Sequence, residues 1–161
     1  MRGRFMSKKS EQYQWMNAQL QALICDVPYR IANMANAAAL LYHTLEDINW
    51  AGFYLMKNGK LVLGPFQGKT ACIEICIGKG VCGKAVEHGE IMLVEDVHLF
   101  PGHIACDSAS NSEIVLPIHV NGKIVGVLDI DSPKMARFDE EDREGLQEFV
   151  HIFERCWESE G

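Results

Sequence analysis

Apolar residues recur at helical spacing between Ser10 and Cys25, where Trp15, Met16, Leu20, Leu23 and Ile24 form one stripe. Ser10 followed by Glu11 reads as the start of that helix. Pro28 opens a second amphipathic segment that runs to about Asp47. Its apolar side carries Ile31, Met34, Ala35, Ala38, Leu41, Leu45 and Ile48. The period then changes. Trp50 to Lys57 reads as a strand rich in aromatic residues, and Asn58-Gly59 is a strong hairpin signal that returns the chain through Lys60 to Leu63. Gly64-Pro65 and Gln67-Gly68 interrupt the pattern. Ala71 to Ile77 alternates, which predicts a third strand with Ala71, Ile73, Ile75 and Ile77 on one face and Cys72, Glu74 and Cys76 on the other.

Gly78 to His88 reads as a glycine-flanked turn and a short helix with Cys82 near its start, and Ile91 to Glu95 as a short strand. Phe100 to Glu113 is too rich in Pro, Gly, Ser, Asn and Asp for a regular element. It leads into a strand pattern from Glu113 to Val120, which Asn121-Gly122 joins to Lys123 to Asp131. That last strand ends with Asp129 and Asp131 on one face. Phe138 to Trp157 closes the chain as an amphipathic helix with an acidic first turn. Two helices, about six strands joined mostly as hairpins and a terminal helix predict an α+β fold with an antiparallel sheet.

At 161 residues the chain is expected to form one domain over 1–161, with 1–9 as a flexible extension. No apolar run is long enough for a membrane span, and no apolar segment follows the basic start. A cytoplasmic location and no membrane partner are expected. The net charge of −7 argues against nucleic acid, which needs clustered positive charge. Six cysteines change the picture more. In a reducing compartment they are metal ligands, reactive thiols or small buried hydrophobes rather than structural cross-links.

His98, His103, Cys106 and Asp107 are types that ligate zinc, but no Cys-x2-Cys pair accompanies them, so no metal is expected. Gly78-Lys79-Gly80 lacks the rest of a phosphate loop. Redox chemistry suits the cysteines best. Cys72, Cys82 and Cys106 all fall at or beside irregular segments, and a thiol oxidised to a sulfenic acid needs a second thiol to resolve it. The Phe100–Glu113 loop is either a functional loop or a surface loop with an incidental thiol. Glu113, Asp129 and Asp131 are either proton donors and amine ligands or solvated strand ends.

These segments resemble a known family. The layout resembles a GAF domain. More narrowly, Trp50-Ala51-Gly52-Phe53-Tyr54-Leu55, Leu63-Gly64-Pro65-Phe66-Gln67-Gly68, Gly80-Val81-Cys82-Gly83, Phe100-Pro101-Gly102-His103-Ile104-Ala105-Cys106-Asp107, Ser112-Glu113-Ile114-Val115 and Leu128-Asp129-Ile130-Asp131-Ser132 resemble the free methionine-(R)-sulfoxide reductases. The resemblance spans about residues 10–155. It implies a six-stranded antiparallel sheet with the N-terminal and C-terminal helices on one face and a loop-enclosed pocket on the other. It implies reduction of free L-methionine-(R)-sulfoxide, with Cys106 as catalytic thiol, Cys72 as principal resolving thiol and Cys82 as auxiliary thiol. Trp50 and Tyr54 match its aromatic pocket residues. Glu113, Asp129 and Asp131 match the acids that hold and protonate substrate, with Glu113 the preferred proton donor. Cys25, Cys76 and Cys156 match nothing catalytic. The expected reductant is thioredoxin, no cofactor is called for, and the apolar N-terminal helices suit a homodimer. The competing class is a non-catalytic GAF sensor of a small ligand or of redox state. Phe138-Asp139-Glu140 keeps part of the cyclic-nucleotide signature of such domains, but Ala136-Arg137 precedes it.

Overall fold

The structure is a computed structural model and describes residues 5–103 and 108–157. In chain order it holds α1 (Lys8–Ile24), α2 (Arg30–Thr44), β1 (Trp50–Lys57), β2 (Lys60–Gly68), β3 (Glu74–Cys76), α3 (Gly80–His88), β4 (Met92–Val94), a 3-10 turn (Val97–Leu99), β5 (Ser112–Val120), β6 (Lys123–Ser132) and α4 (Glu140–Arg155). The strands form one six-stranded sheet in the order β3-β2-β1-β6-β5-β4, and every neighbouring pair is antiparallel. The α+β expectation is met. Both Asn-Gly hairpins form, with Asn58, Gly59, Asn121 and Gly122 all at positive φ, as a two-residue turn matched to strand twist requires.

The period-2 pattern sorts the two faces of the sheet. Ala51, Phe53, Ile114, Leu116, Ile118, Leu128 and Ile130 point to a core shared with Met16, Leu20, Met34, Leu41, Phe149 and Phe153 from α1, α2 and α4. Trp50, Tyr54, Val115 and Val127 point the other way, against Val81, Cys82 and Ala85 of α3. The first core cements the scaffold. The second lines the side on which the candidate site lies.

Helix α1 starts earlier than Ser10 suggests. Ser7 is its N-cap and accepts a hydrogen bond from the Ser10 amide at 3.0 Å. The start is tied to the end of the chain: Lys9 pairs with Asp139 and Asp142 at 2.9 Å, and the Tyr13 hydroxyl donates to Asp142 Oδ1 at 2.6 Å. Asp142 also closes a capping box with Asp139 at the head of α4. Part of the expected flexible extension, residues 1–4, lies outside the described residues.

The third strand differs from expectation. β2 does not stop at Leu63 but runs through Gly64-Pro65 to Gly68 beside β1, with a register shift between Gly52 and Tyr54. Proline is tolerated there because β3 pairs only with Lys60, Leu61 and Val62, leaving the far half of β2 as an edge. The alternating run Ala71–Ile77 therefore contributes only Glu74–Cys76 as strand. Ile73, placed by alternation on the same face as Ile75, is 72% exposed, whereas Ile75 is buried.

Candidate active site

The site is built on one cross-strand row. Trp50 of β1 lies opposite Asp131 of β6, and Asp131 lies opposite Glu113 of β5. One step along, Asp129 lies opposite Gly52 and Val115. Residues directly opposite across an antiparallel ladder share a face, as do i and i+2, so Trp50, Tyr54, Glu113, Asp129 and Asp131 all face the same way. They line a cavity of about 550 Å³, its open mouth included, together with Cys82, His103, Ser110 and Thr70.

One wall is aromatic. The Trp50 ring stacks with Phe66, centroids 5.1 Å apart, and with Tyr54, 5.9 Å away. Trp50 Nε1 donates to the Lys69 carbonyl at 3.1 Å, and the Tyr54 hydroxyl donates to the Cys72 carbonyl at 3.0 Å. These two bonds tether the irregular 69–72 segment to the floor of the cavity. The failure of the expected strand at Ala71–Ile73 is what leaves Cys72 on this segment. Cys72 is disulfide-bonded. Cys25, Cys76, Cys82 and Cys156 are free thiols.

Beside the aromatic wall, on the same face of the sheet, the lining is acidic and buried. Glu113 and Asp129 are each 6% exposed. Burial first, then the charges of Asp129 and Asp131, push the Glu113 carboxyl well above its ordinary value of 4.5. Burial also raises Asp129, against hydrogen bonds from Glu113, Cys82 and Asp131 that favour its charged form. Cys82, fully buried at the start of α3, is pushed up by burial and then by the charge of Asp129. It is held as a thiol that hydrogen-bonds Asp129. His103 Nε2 stands 3.9 Å from Glu113 Oε1. Burial and then the charge of His98 lower the His103 pKa, so the two meet as neutral groups rather than as an ion pair. Asp129 Oδ1 is buried with no hydrogen-bond partner among the described residues.

The sequence candidates thus converge unevenly. Trp50, Tyr54, Cys82, Glu113, Asp129 and Asp131 share one cavity. Cys106 and Asp107 lie outside the described residues. Of the suggested metal ligands, His98 is exposed and its ring pairs with the Asn111 side chain at 2.9 Å. Among the described residues the donor grouping with metal-like spacing is instead Cys82, Glu113 and Asp129, whose ligand atoms lie within 4.8 Å of one another. Sequence reasoning did not single out Thr70 or Ser110, and it weighed His103 as a metal-ligating type. It also missed Asn111, whose backbone amide donates to the Ser132 carbonyl at 2.8 Å and whose side chain donates to the Pro133 carbonyl at 2.6 Å. These bonds pin the end of the Phe100–Glu113 loop to the end of β6. No local pattern marks a small polar loop residue for such a long-range contact.

A GAF domain profile matches residues 32–156. The chain is similar to Protein YtsP of Bacillus subtilis, at 58% identity over 150 residues, covering 92% of each chain. It is similar to the free methionine-R-sulfoxide reductase of Escherichia coli, at 54% identity over 147 residues, covering 91% of this chain and 89% of the relative. Among solved structures, the free methionine-R-sulfoxide reductase of Neisseria meningitidis in complex with its substrate matches with a TM-score of 0.90 and 42% identity, covering 95% of this chain and 92% of that one. The chain therefore belongs to the GAF domain family and, within it, to the free methionine-R-sulfoxide reductases.

Proposed function

We propose that this chain reduces free L-methionine-(R)-sulfoxide to L-methionine in the cytoplasm, with Cys106 as the attacking thiol. The observation that carries this reading is a carboxyl that burial holds protonated, Glu113, grouped with the buried Asp129 and with the Trp50 and Tyr54 rings on one face of the sheet. A free amino acid carries an ammonium, and Asp129 with Asp131 offers it negative charge in a dry site. The Trp50 ring receives the S-methyl group. A substrate inside a protein has no free ammonium to offer, which restricts the site to the free amino acid.

The chemistry balances with thiols alone. The Cys106 thiolate attacks the sulfoxide sulfur while Glu113 protonates the departing oxygen. The hydroxyl then passes from the substrate sulfur to the Cys106 sulfur as the bond between the two sulfurs breaks, so methionine leaves reduced by two electrons and Cys106 becomes a sulfenic acid. The Cys72 thiol attacks that sulfur, forming a Cys72–Cys106 disulfide and releasing water. The disulfide-bonded state of Cys72 supports its role as resolving thiol. A thioredoxin-type dithiol exchanges with the disulfide and returns both thiols. Cys82, kept protonated beside Asp129, serves as the auxiliary thiol. A homodimer would cover the exposed apolar side chains Trp15, Leu23 and Ile31.

The test is direct. Incubation with dithiothreitol and racemic free methionine sulfoxide yields methionine from the R epimer only. Consumption of both epimers, or of neither, overturns the reading, and a protein that consumes neither is a sensor rather than an enzyme.

A further inference from the structure

Two thiols outside the pocket meet at the far side of the molecule. Cys25 is the C-cap of α1 and Cys156 the C-cap of α4, and their sulfurs lie 2.8 Å apart although the residues are 131 apart in sequence. Neither lines the cavity. Both are only partly buried, so a small oxidant reaches them. The corner is braced from two directions. The Arg30 guanidinium sits over the Trp157 ring at 4.2 Å, and Trp157 meets Phe153 edge-on at 5.7 Å. The residue after Cys156 is thus clamped to α2, close to the turn that follows Cys25. A disulfide bond is about 2.05 Å long, so closure needs an approach of under about 1 Å between two residues at helix ends, where the backbone is least constrained.

We propose that Cys25 and Cys156 form a second redox-active thiol pair, separate from the active-site thiols, which closes to a disulfide under peroxide and reopens with a dithiol. Cys25 gives two electrons to the peroxide bond, becoming a sulfenic acid as the peroxide leaves as water or an alcohol. The Cys156 sulfur then attacks the Cys25 sulfur, the S–O bond breaks, and the hydroxyl departs as water with the Cys156 proton. Burial, followed by the contact with Cys25, pushes the Cys156 thiol up to about 12, so Cys156 stays protonated and takes the resolving rather than the peroxide-attacking part. Asp26 adds to this rise and Arg155 opposes it. The bond staples the first helix to the last, closing a loop that spans most of the chain.

The experiment uses the full chain. Fully reduced protein is treated with hydrogen peroxide, alkylated and mapped by mass spectrometry after proteolysis without reductant. The expected result is a peptide pair joined through Cys25 and Cys156, absent from Cys25→Ser and Cys156→Ser. Tm should rise by about 5–10 °C on oxidation in the wild type alone, and dithiothreitol should reverse the rise. Both variants should reduce free methionine sulfoxide at the wild-type rate. Recovery of Cys25 and Cys156 alkylated, oxidised singly to sulfinic acid, or joined to other cysteines overturns the proposal. A joined pair without a rise in Tm overturns the staple. If neither variant folds, the wild-type map and its Tm decide alone.

Discussion

Glu113 on β5 lies directly opposite Asp131 on β6, so two carboxyl side chains face each other across adjacent strands with Asp129 beside them. Opposed like charges destabilise a sheet. The arrangement persists because burial keeps Glu113 protonated, which turns repulsion into hydrogen bonds to Asp129 and Asp131. A carboxylic acid held neutral at physiological pH is what the proposed reduction requires.

Glu113→Gln should lower the single-turnover rate of methionine formation by about 100-fold while KM changes little, because the amide keeps the shape but has no acidic proton. Rapid-quench measurement checks it. An unchanged rate would move the acid role to Asp129.

The same carboxyl sets a pH signature. Its folded pKa is raised, so the folded chain keeps a proton that the unfolded chain releases above about 4.5. The stability it contributes is fully present below that pH and is lost as pH rises toward the folded pKa. Thermal unfolding between pH 5 and pH 8 (a range spanning about three units) should show wild-type Tm falling more steeply than that of Glu113→Gln. Asp139 acts oppositely. Partial burial raises its pKa, but the hydrogen bonds from Lys9 and from the Asp142 backbone and side chain, with the Lys9 charge, together bring it down to about 2, so its contribution is lost only in strong acid.

Cys106→Ser should abolish methionine formation even in a single turnover. Cys72→Ser should still release about one equivalent of methionine per chain but lose thioredoxin-driven cycling. Product quantified with and without thioredoxin separates the two. Normal cycling by Cys72→Ser would assign resolution to Cys82.

Tyr54→Phe removes the bond from the hydroxyl to the Cys72 carbonyl. Stability should fall by about 1 kcal/mol. Disulfide formation after the first turnover should slow several-fold, while release of the first methionine is unaffected. Stopped-flow thiol titration checks it.

Gly68 holds φ at +132°, and a Cβ there would stand 2.6 Å from Trp50 Cδ1 and 2.8 Å from the Asn49 carbonyl oxygen. Gly68→Ala should cost about 2–4 kcal/mol and raise KM by displacing the indole. Denaturant unfolding alongside steady-state kinetics reads both effects.

Much of this was legible beforehand where the signal is local. The Asn58-Gly59 and Asn121-Gly122 turns carry their own backbone preference, and the stripe of α4 and its acidic start fix its place. Alternation on β6 placed Asp129 and Asp131 on one face, and both line the cavity. Alternation misled at Ala71–Ile77, because a strand needs a partner as well as a pattern, and β2 offers β3 only its first residues.

The sequence by itself determined the inventory: which strands pair as hairpins, which faces are apolar, and which thiols and acids sit at element ends. These follow from steric and solvation preferences acting over a few residues. Only the tertiary structure decided what that inventory means. It set β6 between β1 and β5, so that Trp50, Asp131 and Glu113 form one row. It buried Glu113 deeply enough to keep its proton, and it brought Cys25 to Cys156. Burial and contact between distant segments arise when the sheet and helices close on each other, and no short window of residues encodes them.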